Sequence, residues 1–410
     1  MKKSLLALAA MGAFAGSAQA QSSVSVYGLY DGGLSLRNME QTTAGGAKTS
    51  TISNGLLGNA SASSRLGFRG TEDLGKGQSA NFNLELGFNP GTGEVTTSTH
   101  NNVNNATGIN QGSETGVRTA LVGLADKQLG RLDIGRGLTG IHGIVAGNVW
   151  GGNNMVGDMT YSDFRPNTAA VAAAGAIGTV NGITVAKNGE ANAVNAVSGR
   201  VSFAATRSSN MASYTSPRMA GLQLRADYAN TVGTQANQPE NQFAIKGIYA
   251  NYNYGAFTVN AGSATVQGNA TLLVANEFTQ SKTIINAANA MYQAKGLTVQ
   301  YTIAQNKTET ITATTNTQAS KVKAHKLSAS YQMGAVMPFV QYGIGGTQGA
   351  TTAATAQNST DDKAMQVGAE YSLSKRSNLY AAYGQQERKL INSSASLDVK
   401  QYAVGLRHTF

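Results

Sequence analysis

The chain closes on Tyr402-Ala-Val-Gly-Leu-Arg-His-Thr-Phe410. Tyr402, Val404, Leu406, His408 and Phe410 fall on one side of this stretch; Gln401, Ala403, Gly405, Arg407 and Thr409 fall on the other. A period of two marks a strand, because successive side chains leave a pleated backbone on opposite faces. One face is apolar and ends in an aromatic, and the other is polar and basic. That division suits a strand of a membrane barrel, with lipid on one side and water on the other.

The same pattern recurs upstream. Ser64-Arg-Leu-Gly-Phe-Arg69 sets Leu66 and Phe68 against Arg65 and Arg69, and Asn81-Phe-Asn-Leu-Glu-Leu-Gly-Phe88 alternates strictly after the turn Asp73-Leu-Gly-Lys-Gly77. Further pairs of alternating runs are 117–124 with 132–136, 207–215 with 222–228, 243–252 with 257–266, 284–293 with 297–303, 326–331 with 336–344, and 365–371 with 379–383. With 24–36 at the start and 398–410 at the end, the pattern predicts sixteen strands, an even number suited to a closed antiparallel barrel. Polar tracts at 39–60, 90–115, 231–238, 268–281, 307–320, 347–361 and 389–396 read as external loops, opposite the short turns. The connection 138–206 is too long for an ordinary loop. Asn181-Gly182 within it, flanked by alternating residues, predicts an extra hairpin.

Lys2-Lys3, the apolar run 5–15 and the small-residue site Ala18-Gln19-Ala20 read as a secretory signal peptide over residues 1–20. Residues 21–410 read as one barrel domain, starting at Gln21. Removing the signal takes the net charge from +10 to +8. The lysines and arginines are scattered rather than gathered in a stripe, which argues against a nucleic-acid partner. Cysteine is absent although export would permit disulfides. A mean hydropathy of −0.20 hides any membrane span, as alternation requires, because lipid-facing and lumen-facing residues cancel.

Six segments occur in order from end to end: Gln21-Ser-Ser-Val-Ser-Val-Tyr-Gly-Leu-Tyr-Asp31, Ser64-Arg-Leu-Gly-Phe-Arg-Gly-Thr-Glu-Asp-Leu-Gly75, Arg118-Thr-Ala-Leu-Val-Gly-Leu124, Leu132-Asp-Ile-Gly-Arg136, Tyr214-Thr-Ser-Pro217 and Val404-Gly-Leu-Arg-His-Thr-Phe410. On these, the chain resembles the general porins of the trimeric sixteen-stranded type found in β-proteobacteria. The resemblance implies an all-β transmembrane barrel in the outer membrane, with a water-filled pore narrowed by a third external loop that folds inward after Arg136. It puts the family's wall arginines on Arg65, Arg118 and Arg136, and a basic residue opening the next strand on Arg207. It further implies a homotrimer, contact with outer-membrane lipid and lipopolysaccharide, passage of small hydrophilic solutes and ions, and an outer-membrane assembly machinery that reads Phe410. Two departures stand out. Ser213 precedes Tyr214 where many relatives have a basic residue, and the insertion 169–202 is atypical.

Arg65 and Arg69 fall on the lumen face by parity. Arg118 is ambiguous, since both faces of its strand are largely apolar. Asp158 and Asp163 read equally well as the acidic side of a field across the pore or as ordinary loop residues, and Trp150 reads as a packing anchor. Catalytic patterns are weak. His100, His142, His325 and His408 are dispersed; Gly130-Arg-Leu-Asp-Ile-Gly135 lacks the Lys and Ser/Thr of a phosphate loop; Ser372-Leu-Ser-Lys375 lacks its companion Lys-Thr-Gly. The sequence therefore points to a non-enzyme with no cofactor and no metal. The expectation is a general diffusion porin with weak anion preference; the alternatives are a substrate-specific channel and a surface adhesin.

Overall fold

The computed structural model describes residues 23–42, 45–59, 61–91, 93, 95, 116–152, 154–160, 179–180, 183–184, 207–232, 242–267, 271–274, 277–312, 316–349, 359–391 and 394–410. The proposed signal peptide and Asp163 lie outside them.

Sixteen antiparallel strands form a closed barrel. They are β1 (Ser23–Thr42), β2 (in two segments, Lys48–Gly58 and Arg65–Gly75), β3 (Gln78–Gly87), β4 (Val117–Asp126), β5 (Gly130–Leu138), β6 (Arg207–Thr215), β7 (Leu222–Val232), β8 (Gln242–Tyr254), β9 (Phe257–Gln267), β10 (Glu277–Ala294), β11 (Leu297–Thr312), β12 (Asn316–Tyr331), β13 (Val336–Gly349), β14 (Thr360–Ser372), β15 (Ser377–Leu390) and β16 (Ser396–Thr409). Each strand pairs with the next, and β16 returns to β1 in the register Leu29↔Thr409 to Thr42↔Ser396. Closure leaves no free sheet edge, so backbone groups within the hydrocarbon are satisfied by neighbouring strands. A four-residue strand, Thr271–Val274, extends the β9 side above β10.

The strands match the sixteen alternating runs one for one, but they are longer. The tract 39–60, expected to be loop, instead extends β1 to Thr42 and supplies the upper segment of β2; 307–320 likewise completes β11 and opens β12. Above the membrane both faces meet water, so the apolar alternation fades while the ladder continues. The predicted hairpin is present as Thr179–Val180 paired with Ile183–Thr184.

The two segments of β2 both pair with β1, the upper with residues 32–42 and the lower with residues 23–29. The break between them is held by the buried carboxylate of Asp31, which accepts the backbone N–H of Ser61 and of Ala62, each at 2.6 Å, and the Tyr380 hydroxyl at 2.8 Å. At the seam, Gly28 and Phe410 exchange backbone hydrogen bonds of 3.0 and 3.2 Å, and the Phe410 ring covers Gly28 on the outer face.

Candidate functional site

The chain leaves β5 at Leu138 and turns into the barrel as α1 (Gly140–Val145). Six residues are too few for a helix to persist in water on its own. Thr139 makes no side-chain cap. Its place is taken from the wall, where Asp227 of β7 accepts the Gly140 N–H at 2.6 Å, satisfying a first-turn donor and opposing the positive end of the helix. Arg225 donates to Asp227 at 2.8 Å and to the Leu138 carbonyl at 2.6 Å, and the Ser213 hydroxyl adds a third bond to Asp227 at 2.7 Å. Ile141, Ile144 and Val145 are buried in one cluster with Met211, Ile245, Tyr249 and the alanines of the facing strands, worth about 1.5–3 kcal/mol per side chain. Alanine at 229, 264, 287, 304 and 324 gives the helix a flat floor.

Beyond α1 the loop stays pinned to the wall. Lys326 of β12 donates to both carboxylate oxygens of Asp158, at 3.0 and 3.1 Å, and to the Gly147 carbonyl at 2.7 Å. The two side chains are 1% and 0% exposed. Asn148 and Thr160 bond to the same carboxylate. Trp150 stacks on Phe339 with centroids 4.3 Å apart and planes 7° from parallel, and its indole N–H donates to Gln366 at 2.9 Å. Gln366 in turn donates to the carbonyls of Met155 and Val156, Gln341 donates to that of Gly157, and Gln401 accepts the Val156 N–H. Arg407, paired with Glu370, donates to the Trp150 carbonyl, and Asn154 bonds to Asn59, Ser61 and Ser63 at the break in β2.

These anchors lie on β7, on β12–β14 and β16, and at the β2 break. In a ring of sixteen, β4 stands opposite β12. The wall facing the loop therefore carries Arg65 and Arg69 of β2, Glu85 of β3 and Arg118 of β4. Arg118 donates to Glu85 at 2.7 Å, Arg65 is 3.9 Å from the same carboxylate with its side chain 31% exposed, and the Tyr27 hydroxyl donates to it at 3.2 Å. Arg69 lies 5.0 Å from the centroid of the Tyr27 ring, a cation–π contact. His142 of α1 is pushed down to about 3, first by burial and then by the charges of Arg207, Arg118 and Arg225. Arg118, Arg207 and Arg225 thus surround α1 at the root of the loop. Asp227 is paired with Arg225 and Asp158 with Lys326, which leaves Glu85 shared between Arg65 and Arg118.

Two expected pore residues are placed elsewhere. Arg136 is only 7% exposed and bonds to the Val117 carbonyl at 3.0 Å and the Ser209 hydroxyl at 2.8 Å, so it braces the wall rather than lining the lumen. The β5–β6 register shifts here, with Ser209 and Asn210 of β6 facing Arg136 alone, so the extra residue lies on β6. Asp158 is an anchor buried on Lys326 and presents no charge to the lumen. Arg118, ambiguous by parity, turns inward because the β3–β4 register shifts between Glu85 and Leu86, making it the bulged residue between Thr119 and Val117. Trp150 is the packing anchor that was expected. Residues that alternation did not single out are Glu85, Arg225, Asp227, Lys326, Gln366 and Gln401. The only signal for them in the sequence is a polar group at an inward position, which most wet-lumen positions share.

A closed antiparallel barrel with an inward loop and a basic inner wall defines an outer-membrane channel-type protein. The profile of the Gram-negative porin family matches residues 7–390, and the chain belongs to that family. Its place is the outer membrane. An outer membrane porin of Bordetella pertussis is 39% identical over 142 residues, an alignment spanning 33% of this chain and 33% of that protein. Among solved structures of this fold, the anion-selective porin from Comamonas acidovorans has a TM-score of 0.61 at 21% identity, over 95% of this chain and all of that one. The trimer form of OmpT, an outer membrane protein of Vibrio cholerae, gives 0.56 at 13% identity, over 95% and 99%. The Bordetella and Comamonas relatives are porins, which are channels rather than enzymes.

Proposed function

We propose that the chain is a general diffusion porin that passes small hydrophilic solutes and ions with a weak preference for anions. One observation carries this reading: the wall across from the loop presents Arg65, Arg69 and Arg118, while Asp158, the acid among the loop's described residues, is cancelled by Lys326. Field lines from those arginines are confined by low-dielectric walls, so an ion in transit meets them less screened than the ~8 Å Debye length of physiological salt allows in open water. That the Comamonas porin of the same fold is anion-selective agrees with this. A substrate-specific channel would range aromatics along the lumen, whereas Tyr249, Phe339 and Tyr380 are buried beneath the loop.

The test is a planar-bilayer measurement in a KCl gradient. Conductance should be linear and unsaturated by sugars, with a reversal potential on the anion side that grows as salt falls. Arg65→Gln/Arg69→Gln should move it toward cations with the barrel still folded. A wild-type pore that prefers potassium, or a double variant with unchanged reversal potential, would sink this assignment. The same reading carries a homotrimer. The outer faces of β2–β5 offer Leu84, Val122, Leu124, Leu132 and Ile134 with no tyrosine, while β6–β8 and β10–β16 present tyrosines suited to lipid headgroups. The tyrosine-free face is the one a neighbouring copy would cover.

A further inference from the structure

The break in β2 gives up what a barrel wall ordinarily keeps. The strand stops at Gly58 and resumes at Arg65, Asn59 takes a left-handed conformation at φ 68°, and Asp31 stands behind the gap with its side chain buried. A left-handed residue other than glycine and a buried carboxylate each cost stability, and such costs collect where a function requires them. The donors that hold Asp31 are neutral. One carboxylate oxygen collects the N–H groups of Ser61 and Ala62, and the other takes the Tyr380 hydroxyl. A Cβ on Gly405 would overlap that hydroxyl, so a glycine clears its path to Asp31.

Two connections leave the gathered segment. On the lumen side, the N–H of Asn154 in the inward loop donates to the Ser61 carbonyl at 3.0 Å, and its side-chain amide donates to the Asn59 carbonyl at 2.9 Å and the Ser63 hydroxyl at 3.3 Å. Along the wall, the Ser64 hydroxyl accepts the Asp31 N–H at 2.9 Å and the Ser64 carbonyl accepts the Phe88 N–H at 3.1 Å. The next residue is Arg65, set between Leu29 of β1 and Gly87 of β3. One carboxylate therefore stands behind both the docking of the loop at Asn154 and the start of the arginine wall. We propose that Asp31 is a positioning residue of the pore: by holding residues 61–64 it fixes the loop at Asn154 relative to Arg65, and so sets the opening and its charge together. Its part in charge selection rests on the anion preference proposed for the pore, whereas its part in holding the loop does not.

The experiment uses the folded full-length mature protein, whose lack of cysteine makes a disulfide probe specific. Asn154→Cys/Ser63→Cys should oxidise readily across the contact. Asp31→Asn keeps the shape of the side chain but turns an NH2 group toward one of the donors and removes the charge that strengthens all three bonds. Added to the cysteine pair, it should slow oxidation by about tenfold. In planar bilayers Asp31→Asn should raise open-channel noise and move the reversal potential in a KCl gradient toward cations. Asn154→Ala frees the loop but leaves Ser64 and Arg65 held, so it should raise the noise alone. Tyr380→Phe removes one of the three bonds and should act in the same directions as Asp31→Asn, more weakly, which keeps the test open if the latter gives little folded barrel. A role in folding alone would lower the yield of barrel while the channels that insert kept wild-type oxidation rate, noise and potential; that result overturns the proposal. A potential moved as far by Asn154→Ala as by Asp31→Asn would cut the link to Arg65 and overturn it too. The oxidation rate does not depend on which ion the pore prefers, so it judges Asp31 separately from the anion preference.

Discussion

Replacing Lys326 by methionine removes the cation that holds Asp158 while keeping most of the side chain's volume. Asp158 then keeps neutral donors such as Asn148 and Thr160 but loses the cation, within a site closed to water. A buried charge stripped of its partner costs about 3–5 kcal/mol. The rest of the loop stays docked, because the buried Trp150 and the apolar face of α1 contribute about 1.5–3 kcal/mol per side chain and each glutamine bond about 0.5–1.5 kcal/mol. The strain is therefore relieved locally, by residues 157–160 swinging the carboxylate into the lumen. At ~1.4 kcal/mol per tenfold, a 3–5 kcal/mol bias favours the swung state by roughly a hundredfold or more, so nearly every channel adopts it. A negative charge then stands opposite Arg65 and Arg69.

In bilayers at pH 8, Lys326→Met should shift the reversal potential toward cations and increase open-channel noise. Asp158→Asn should do the opposite, releasing the lysine. The combined Asp158→Asn/Lys326→Met variant should return close to wild type, since a neutral pair replaces a neutral pair. All four proteins should show the same heat-dependent gel mobility, because the barrel's ladder is untouched. Identical reversal potentials and noise across the four would refute the picture of a buried, loop-fixing ion pair.

Several outcomes elsewhere are equally concrete. A Cβ on Gly28 would overlap the Phe410 ring and press on the Arg65 carbonyl, so Gly28→Ala and deletion of Phe410 should both lower the folded protein reaching the membrane; unchanged native-level expression of both would count against an assembly role for this seam. His142 is held at about 3, so between roughly pH 6.5 and 3 the unfolded chain binds a proton that the folded chain refuses. The stability tied to neutral His142 is present above pH 6.5 and lost as pH falls; conductance should show no midpoint near 6.5, and His142→Gln should keep more folded barrel than wild type at pH 4. Unheated samples in mild detergent should migrate as an oligomer that boiling collapses to monomer, and a monomer at every temperature would speak against the tyrosine-free face as a subunit contact.

Alternation made the barrel legible because membrane strands must sort residues between lipid and water, and that sorting is written at a period of two. It failed in two ways. Where strands run on through polar sequence, as at 48–58 and 316–320, no sustained apolar alternation marks the ladder. At a bulge parity breaks, so Arg118 turned inward from an ambiguous strand. The loop anchors were illegible for another reason. Trp150 and Gln366 meet across 216 residues of sequence, and Lys326 meets Asp158 across 168. Such pairs follow only from the register of every intervening hairpin, and a one-residue error in any of them flips the face.

The three glutamines that grip the loop backbone carry no charge. Carboxamide bonds neither titrate nor weaken with ionic strength, unlike a clasp of exposed ion pairs, which fades as salt rises. An outer membrane faces a medium whose acidity and salinity the cell does not control, and no energy source is at hand there to reset a deformed part. Gln341, Gln366 and Gln401 thus hold the loop's position constant, while on the proposed function the arginines opposite leave the charge preference responsive to the surroundings.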